Sequence, residues 1–336
     1  MSVVKNIINL CFVTDNGYAM PTCVTLTSIL KNKNFGTKYK VYIMCKNVDV
    51  DKKQKFLCLD SPEFRIILID LDDKKDYSNY RIDNIPATPT SIYKFFIPEI
   101  LSGLDKVLFL DGDIIVRNDL SKLYKTNIKD IYLAAVVNAD ASNIKQRINY
   151  FNSGVMLMNL SLMRKDHMPK KLLDYRMNGY NGYMDQDAFN IICRGKVKFL
   201  PFKFNTQLNA VYTAFIEKNN SVISSLPHLW GSEEEKGLTM DGIVESAEII
   251  HYTSAKPFKH FDCLLSSEWY KYFYVSPYSD FPLNLTSNFH FARVFNSRTY
   301  RMGHKIFAPM ATVKKHFLNL YSKRAKFLKD FYEETE

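Results

Sequence analysis

The sequence predicts an α/β fold built around a mostly parallel β-sheet, and three observations lead to this prediction. The chain has 336 residues and is 46% hydrophobic, which is enough to bury the core of one large domain. Residues 1–140 alternate short runs rich in β-branched and aromatic residues with segments of helical periodicity. Acidic residues follow two of the predicted strands, at the edge of such a sheet where ligands bind.

The predicted elements follow one another in the order that βαβ units require. Apolar, β-rich runs predict strands near residues 7–13, 40–45, 65–69, 106–110, 131–137, 153–159 and 249–252. Apolar residues at helical spacing predict helices near residues 21–31, 50–59, 91–101, 162–176 and 186–194. Residues 205–245 carry neither pattern and are expected to be irregular. Helices on both faces of a mostly parallel sheet account for this order.

Asp111 and Asp113 form the most informative motif, because they directly follow the apolar strand predicted near residues 106–110. Side chains alternate in an extended chain, so both carboxylates point to the same side and can hold one cation. Gly112 has no side chain, which would let a charged ligand approach the backbone closely. The motif therefore predicts a divalent metal ion that bridges to a diphosphate.

The spacing alone is not specific, because the chain contains four Asp-x-Asp pairs. The pairs Asp49/Asp51 and Asp70/Asp72 have charged neighbours, so they predict solvated loops or helix starts. Burying an unpaired carboxylate costs several kcal/mol. Only the pair between apolar runs, at 111 and 113, therefore requires a cation or strong hydrogen-bond donors.

The cysteine and hydropathy patterns exclude several classes of protein. The six cysteines are scattered, mostly in apolar segments and without C-x-x-C spacing, which predicts reduced core thiols and excludes a disulfide framework or zinc site. No stretch of 18 apolar residues occurs, so no transmembrane helix is predicted. Asn9 interrupts the apolar stretch at residues 7–13, which is expected to be a strand, not a signal peptide.

Six short segments carry a family resemblance over roughly residues 7–260. They are Phe-Val-Thr-Asp-Asn-Gly-Tyr-Ala at 12–19, Tyr-Lys-Phe at 93–95, Leu-Phe-Leu-Asp-Gly-Asp at 108–113, Phe-Asn-Ser-Gly-Val at 151–155, Asp-Gln-Asp at 185–187 and His-Tyr-Thr-Ser-Ala-Lys-Pro at 251–257. With them the chain resembles the retaining nucleotide-sugar glycosyltransferases of family 8, of the glycogenin and bacterial lipooligosaccharide galactosyltransferase type. The resemblance implies a Rossmann-like, nucleotide-sugar-binding domain of the GT-A type.

The resemblance also implies how a metal and a diphosphate are bound. His251 becomes the third metal ligand beside Asp111 and Asp113. An imidazole among carboxylates favours Mn²⁺ over Mg²⁺, because nitrogen ligands suit softer ions better. Lys256 is the implied cation that, with the metal, neutralises UDP as it departs.

Further donor-binding residues are implied within the matching segments. Asp15 and Tyr18 are expected to bind the base, through a carboxylate that accepts from uracil N3–H and a ring that stacks on it. Gln186 lies at the position next to the anomeric carbon, with Asp185 beside it. The other donor-binding residues implied in this way are Val13, Thr14, Lys94, Gly112, Asn152, Ser153, Gly154 and Ser254.

Each of these segments also has a purely structural interpretation. The Asp-Asn-Gly sequence after Thr14 suits a turn, and residues 152–154 suit a bulge or tight turn. Asp185 and Asp187 would favourably cap a helix N-terminus. For the reaction itself, retention needs either a covalent intermediate on a carboxylate or attack on one face of a short-lived oxocarbenium-like species. We expect the same-face route, supported by Gln186 and Asp185, with Asp185 as a nucleophile the alternative.

The C-terminal region differs in composition from the rest of the chain. Residues 285–330 contain ten Lys/Arg against one Asp, interleaved with Phe and Tyr. Aromatic rings at headgroup level and cations near anionic lipid predict attachment to a membrane surface. An ordinary helix with a solvated basic face is the main alternative, and we expect no nucleic-acid partner. The predicted parts are a catalytic domain at 1–284 and a basic, aromatic helical extension at 285–336.

The sequence as a whole predicts a metal-dependent retaining transferase that moves glucose or galactose from a UDP-sugar to a glycan. The expected acceptor is a lipopolysaccharide core or another lipid-linked or cell-surface glycan, at the cytoplasmic, inner face of the membrane. Two alternatives stay open. A haloacid-dehalogenase-like phosphotransferase also carries an Asp-x-Asp after an apolar strand, although usually the first strand. A membrane-binding adaptor built on a degenerate transferase fold would have no catalysis.

Overall fold

The computed structural model describes residues 7–73, 89–139, 150–178, 184–208, 211, 235, 240–253, 255–260 and 263–286. The strands in these residues are β1 Ile7–Asp15, β2 Lys38–Lys46, β3 Phe64–Asp70, β4 Lys106–Leu110, β5 Ile114–Val116, β6 Leu133–Val137, β7 Phe151–Asn159, β8 Val197–Leu200, β9 Thr206–Gln207 and β10 Ile249–His251. All seven predicted strands are present, within a few residues of their predicted ends.

The helices of the described residues fill most of the connections between these strands. The α-helices are α1 Ala19–Asn32, α2 Val50–Leu57, α3 Ile97–Ile100, α4 Ser121–Tyr124, α5 Leu160–Lys165, α6 Met168–Met177, α7 Met184–Ile192, α8 Met240–Ser246 and α9 Ser266–Phe273. Two 3-10 helices span Pro89–Phe96 and Phe202–Phe204.

The main sheet has seven strands in the order β3-β2-β1-β4-β7-β6-β8. The neighbours β3/β2, β2/β1, β1/β4 and β6/β8 are parallel, whereas β7 runs antiparallel to both β4 and β6. The predicted mostly parallel sheet is therefore confirmed. Because β1 and β4 are parallel neighbours, their carboxyl ends lie at the same edge of the sheet, and this edge carries the acidic residues.

Both faces of the central strands are buried, as helices on either side of a sheet require. Cys11 of β1 and Phe109 of β4 belong to a core that also includes Phe95 and Phe189, whose ring centroids lie 5.4 Å apart. On the other face Leu10 is equally inaccessible, and α1 packs against β1 and β5. This burial holds β1 and β4 rigidly, so the residues that follow them have fixed positions.

A second, smaller sheet brings a late part of the chain to the same edge. It has the order β5-β10-β9, with β10 antiparallel to β5 and parallel to β9. In this register His251 is opposite Ile114, the residue after Asp113. The pairing therefore places a histidine beside a carboxylate from more than a hundred residues earlier in the chain.

The structure corrects several details of the predicted elements. The helix expected at residues 162–176 is two helices, α5 and α6. They are separated at His167, which has a positive φ of 52°. Pro169 follows in the first turn of α6. The helix expected at 91–101 begins as a 3-10 helix, and β8 had no counterpart in the prediction. Residues 205–245, expected to be irregular, contain β9 and most of α8.

A second unit comprises the described residues of 257–271 together with Leu283 to Thr286. The rings of Phe258 and Trp269 pack within it at 5.8 Å between centroids. The amide of Thr286 donates to the carbonyl of Lys259 at 2.9 Å. Nearly all of the predicted extension at 285–336 lies outside the described residues, so its division from 1–284 stays a prediction. No helix in the described part of the chain has the length and apolarity needed to cross a bilayer.

Candidate active site

Asp111 and Asp113 lie at the carboxyl edge of the main sheet, directly after β4. The amide of Asp111 donates to the carbonyl of Gly154 at 2.8 Å, which continues the pairing of β4 with β7. The carbonyl of Asp113 accepts from the amide of Tyr252 at 3.1 Å. The Asp113 side chain is 7% exposed and the Asp111 side chain 28%, so the pair lies at the boundary between core and solvent.

Gly112 is required for a reason that the sequence did not suggest. A Cβ at this position would lie 2.2 Å from Oγ1 of Thr22 and 3.3 Å from its Cα. Thr25, one turn further along α1, donates its hydroxyl to the Gly112 carbonyl at 3.0 Å. The absence of a side chain therefore lets α1 approach the Asp-Gly-Asp segment. The proposed close approach of a ligand at Gly112 stays a prediction.

His251 completes a cluster with the two carboxylates. Its Nε2 is 3.4 Å from Oδ1 of Asp113 and 3.8 Å from Oδ2 of Asp111. One ligand atom from each of the three residues lies within 4.8 Å of the other two. Among the described residues, Asp111, Asp113 and His251 are the group that could hold a metal ion. The structure thus brings together the three ligands that the resemblance implied.

The chemistry of this cluster fits a divalent cation. Oδ1 of Asp113 is buried and has no hydrogen-bond partner in the described structure, which is costly unless something positive binds there. Gly154 leaves the necessary room, since a Cβ on it would lie 2.3 Å from Cε1 of His251 and 2.7 Å from Oδ2 of Asp111. Two carboxylates and an imidazole are ligands that Mn²⁺ accepts.

The two carboxylates have opposite electrostatic environments. Burial raises the pKa of Asp111, and the adjacent Asp113 adds to the rise although Lys94 opposes it. Burial would also raise the pKa of Asp113, but the charge and hydrogen bond of Lys256 oppose it, and this pKa lies below its usual range. Asp113 is therefore the carboxylate that stays ionised most firmly.

Lys94 is buried between two carboxylates at this edge. Its Nζ is 3.0 Å from Oδ1 of Asp111 and 2.8 Å from Oδ2 of Asp185, and it lies 4.8 Å from the ring centroid of Phe109. Despite burial, which alone would lower it, the pKa of Lys94 is raised by Asp111 and Asp185. Lys94 therefore carries its charge between Asp111 of the candidate metal cluster and Asp185, the aspartate beside Gln186.

Lys256 reaches the cluster of Asp111, Asp113 and His251 from the segment after β10. Its Nζ forms an ion pair with Oδ2 of Asp113 and donates to the carbonyl of Tyr252. Asp113 thus has one oxygen paired with an ammonium and the other directed at His251. Ser254, in the same segment, lies outside the described residues.

Asp185 and Gln186 lie in the first turn of α7, beside the start of β7. The hydroxyl of Ser153 donates to Oδ2 of Asp185 at 2.9 Å. Oε1 of Gln186 accepts from the Ser153 amide at 3.1 Å and from Nδ2 of Asn152 at 3.2 Å. Asp187 also lies in the first turn of α7, as the helix-start interpretation predicts. The implied sugar-binding segments are therefore adjacent, and the Gln186 amide is held in one orientation.

The residues implied in base binding surround the end of β1. Oδ1 of Asp15 accepts from the amides of Gly17 and Tyr18, each at 3.0 Å, and Oδ2 accepts from the hydroxyl of Thr90 at 3.0 Å. This is the turn geometry that the sequence offered as the alternative. Burial raises the pKa of the Tyr18 hydroxyl, and the charges of Asp113 and Asp111 raise it further. The Tyr18 hydroxyl is therefore close enough to feel the charges of both carboxylates.

Val13 and Thr14 complete the end of β1. Val13 is partly buried, and Thr14 is almost fully buried, with its hydroxyl 3.2 Å from that of Thr22. Donor contacts at these two positions stay predictions. The surface interpretation of the other acidic pairs agrees with the structure: Asp49 precedes α2, and the side chains of Asp70 and Asp72 are 54% and 44% exposed.

Asn205 is a residue of the site that sequence reasoning missed. It is fully buried, and its Oδ1 lies 2.9 Å from Nδ1 of His251. Its Nδ2 donates to Oδ1 of Asn152 at 2.9 Å. The only sequence signal is its place just before the short strand β9, and that strand is recognisable only from its pairing with β10.

Comparison with known proteins identifies the family. The model of glycosyl transferase family 8 matches residues 9–260. The chain belongs to this family. It is 26% identical to a lipopolysaccharide 1,2-glucosyltransferase of Escherichia coli, over 82% of this chain and 80% of that protein. It is also 26% identical to a lipopolysaccharide 1,3-galactosyltransferase of Salmonella typhimurium, over 64% of this chain and 67% of that protein.

A solved structure supports the predicted fold class. The galactosyltransferase LgtC, in complex with donor and acceptor sugar analogues, superposes with a TM-score of 0.64 at 22% identity, covering 80% of this chain and 96% of LgtC. The predicted GT-A type fold is confirmed. As a family 8 member the chain is a glycosyltransferase, which excludes the phosphotransferase alternative.

Proposed function

We propose that this glycosyltransferase is a metal-dependent retaining enzyme that moves glucose or galactose from a UDP-sugar to a glycan acceptor. The observation that carries the proposal is the convergence of Asp111, Asp113 and His251 at the carboxyl edge of the sheet. These residues would hold Mn²⁺ or Mg²⁺. When bound, such an ion supplies Lewis-acid stabilisation of the departing diphosphate.

Lysine side chains supply further positive charge at this edge. UDP departs with about three negative charges, which fixed cations stabilise best when they are already in place. Lys256 is anchored by Asp113 and by the carbonyl of Tyr252. Lys94 is held by Asp111 and Asp185. Both ammonium groups are therefore preorganised before the donor arrives.

The bond changes follow the same-face route in this proposal. The bond between the hexose C1 and the β-phosphate oxygen breaks, and its electron pair stays on that oxygen. The acceptor hydroxyl oxygen bonds to C1 on the same face, and its proton passes to the departing phosphate oxygen. Asp185 supports the positive charge at C1, and two N–H donors keep Gln186 oriented beside it.

The surroundings of Asp185 favour this route over a covalent intermediate. Its Oδ2 is paired with Lys94 at 2.8 Å and accepts from the hydroxyl of Ser153 at 2.9 Å. A carboxylate oxygen stabilised in this way is a weaker nucleophile, because attack would have to break both interactions. Asp185 as the nucleophile is the alternative, and a covalent glycosyl-enzyme detected by mass spectrometry after reaction with the donor would favour it.

The donor-binding roles extend the resemblance to individual residues. Asp15 and Tyr18 are proposed for the uracil base, and Ser254 and Lys256 for the diphosphate. The remaining proposed donor contacts are Val13, Thr14, Lys94, Gly112, Asn152, Ser153 and Gly154, with Asp111 and Asp113 acting through the metal. The side-chain oxygen and the NH₂ of Asn152 already have protein partners. We therefore propose that Asn152 orients Gln186 as much as it contacts the sugar.

The proposed acceptor is a lipopolysaccharide core or another lipid-linked or cell-surface glycan. The relatives whose names specify lipopolysaccharide glucosyl or galactosyl transfer support it. We propose a cytoplasmic location at the inner face of the membrane, with the basic, aromatic residues 285–336 attached to anionic lipid. The six free cysteines and the ten Lys/Arg of residues 285–330 support this location.

Release of UDP from a panel of UDP-sugars tests the proposal. We expect Mn²⁺-dependent release with UDP-glucose or UDP-galactose, and its loss in the double variant Asp111→Asn, Asp113→Asn. The matched control is Asp70→Asn, Asp72→Asn, the same Asp-x-Asp spacing on an exposed part of the chain. Release that survives in the first variant would contradict the assignment. No release from any UDP-sugar, with liposome binding intact, would favour the adaptor alternative.

A further inference from the structure

A chain of three polar side chains leads from His251 into the protein. Nδ1 of His251 lies 2.9 Å from Oδ1 of Asn205, and Nδ2 of Asn205 lies 2.9 Å from Oδ1 of Asn152. The backbone amide of Gly154 lies 3.0 Å from the same oxygen of Asn152. His251 and Asn205 are buried, so water does not compete for these hydrogen bonds.

The direction of each hydrogen bond in this network follows from the bond at its inner end, where Asn152 meets the Gly154 amide. A backbone N–H can only donate, so the Asn152 atom that receives the Gly154 amide must be its carbonyl oxygen. The group of Asn205 that meets this oxygen must then be its NH₂, which turns its own oxygen toward His251. An oxygen can only accept, so Nδ1 of His251 must carry the proton.

We propose that Asn205 is a positioning residue that fixes the tautomer of His251. With the proton on Nδ1, neutral His251 presents the lone pair of Nε2 to the space between Asp111 and Asp113. A metal-bound imidazole needs this arrangement, because the ligating nitrogen cannot carry a proton. The inference rests on the proposed function only in taking His251 as a metal ligand.

At its Asn152 end, this hydrogen-bond network joins the proposed sugar site. Nδ2 of Asn152 donates to Oε1 of Gln186, which also accepts from the amide of Ser153. Asn152 therefore has its oxygen fixed by Gly154 and Asn205 and its NH₂ fixed by Gln186. The same amide orientation is required at both ends, so the network has one consistent arrangement.

Nitrogen-15 NMR of the metal-free protein tests the tautomer directly. The seven histidines can be labelled with ¹⁵N in the ring, and the signals of His251 assigned by their loss in His251→Gln. At a pH where the imidazole ring is neutral, we expect the proton on Nδ1 and none on Nε2. A protonated Nε2 would overturn the proposal. This measurement needs no substitution at Asn205, so it remains decisive if those variants do not fold.

Variants of Asn205 separate tautomer control from simple packing. Asn205→Ala removes the acceptor, and we expect Mn²⁺ to bind roughly 10–100-fold more weakly by EPR titration, as found when outer partners of metal-bound histidines are removed. Asn205→Asp retains an acceptor for Nδ1–H but cannot donate to Asn152. We expect Asn205→Asp to bind Mn²⁺ at least as tightly as the natural chain.

The control is Asn159→Ala, at the opposite end of β7, where the side chain accepts from Leu162 and donates to Ile128 and Lys129. Its Mn²⁺ affinity should not change. Equal losses in Asn205→Ala and Asn205→Asp, or no loss in Asn205→Ala, would overturn the proposal. None of these measurements uses a sugar. Failure to release UDP from any donor, with the tautomer and Mn²⁺ results as expected, would therefore refute only the proposed function.

Discussion

Gly154→Ala should disable the metal site while leaving the fold in place. Gly154 has no positive φ, so alanine is compatible with its backbone, and the effect comes from the added methyl group alone. That carbon would lie 2.3 Å from Cε1 of His251 and 2.7 Å from Oδ2 of Asp111. Ordinary contact begins near 3.4 Å, so the imidazole must move away by about 1 Å.

The size of this displacement determines the expected loss. Ligand distances in metal sites are held to within about 0.2 Å, so a shift near 1 Å moves His251 and Asp111 out of range together. We expect Mn²⁺ affinity to fall by at least about tenfold, or roughly 1.4 kcal/mol. Overpacking of this kind also costs about 1–3 kcal/mol of folding free energy.

Mn²⁺ titration followed by EPR, together with thermal unfolding, measures both effects. The matched control is Gly103→Ala, where an added carbon meets nothing within 4 Å and the backbone is also ordinary. Its Mn²⁺ affinity should equal that of the natural chain. A Gly154→Ala protein that binds Mn²⁺ with unchanged affinity would refute the reasoning, because the ligands could not then lie where Gly154 touches them.

Three further predictions concern charge and exposure. Lys94→Met leaves Asp111 and Asp185 without their buried counter-charge. It should lower the free energy of unfolding, measured in urea, by about 3–5 kcal/mol. A loss under about 1 kcal/mol would contradict this. Burial alone would raise the pKa of Asp119, but hydrogen bonds from the side chain and amide of Ser121, the amide of Asn34 and the hydroxyl of Tyr39 outweigh it and hold this pKa below its ordinary value. Its stabilisation is therefore present above pH 3.8 and lost as the pH falls through the lowered pKa. Asp119→Asn should cost about 1–3 kcal/mol at pH 7, and this cost should shrink steadily as the pH is lowered below 3.8; a cost that does not change with pH would refute it. Cys58 is the exposed thiol among six free cysteines, so a thiol reagent should modify one cysteine in the native protein and all six in denaturant; more than one in the native protein would contradict the structure.

Six of the seven strands of the main sheet could be predicted because they are encoded locally, whereas β8 could not. Residues 7–15 and 106–110 are near-continuous apolar runs, as burial on both faces requires. Residues 38–46 begin as an alternating run, in which Tyr39 and Val41 are buried and Lys40 is exposed. The ends of helices were harder to predict. The break between α5 and α6 rests on the left-handed backbone of His167, and Pro169 was the one local signal for it.

The proposed metal ligands could be named from the sequence, but the residues that support them could not. The Asp-x-Asp motif is local, and His251 was reached through the resemblance. Asn205 and the pairing of Lys94 with Asp185 depend on contacts between residues 46 and 91 positions apart. No periodicity or fixed spacing in the sequence marks such contacts. An isolated Asn or Lys cannot be told from an ordinary surface residue by sequence alone.

Pulsed EPR of bound Mn²⁺, in protein whose histidines alone carry ¹⁵N, tests the central claim that Asp111, Asp113 and His251 hold one divalent ion. We predict ¹⁵N coupling from the ring of one histidine, which disappears in His251→Gln, and weak Mn²⁺ binding in Asp113→Asn. Absence of any ¹⁵N coupling in the natural chain, or its persistence in His251→Gln, would contradict the account.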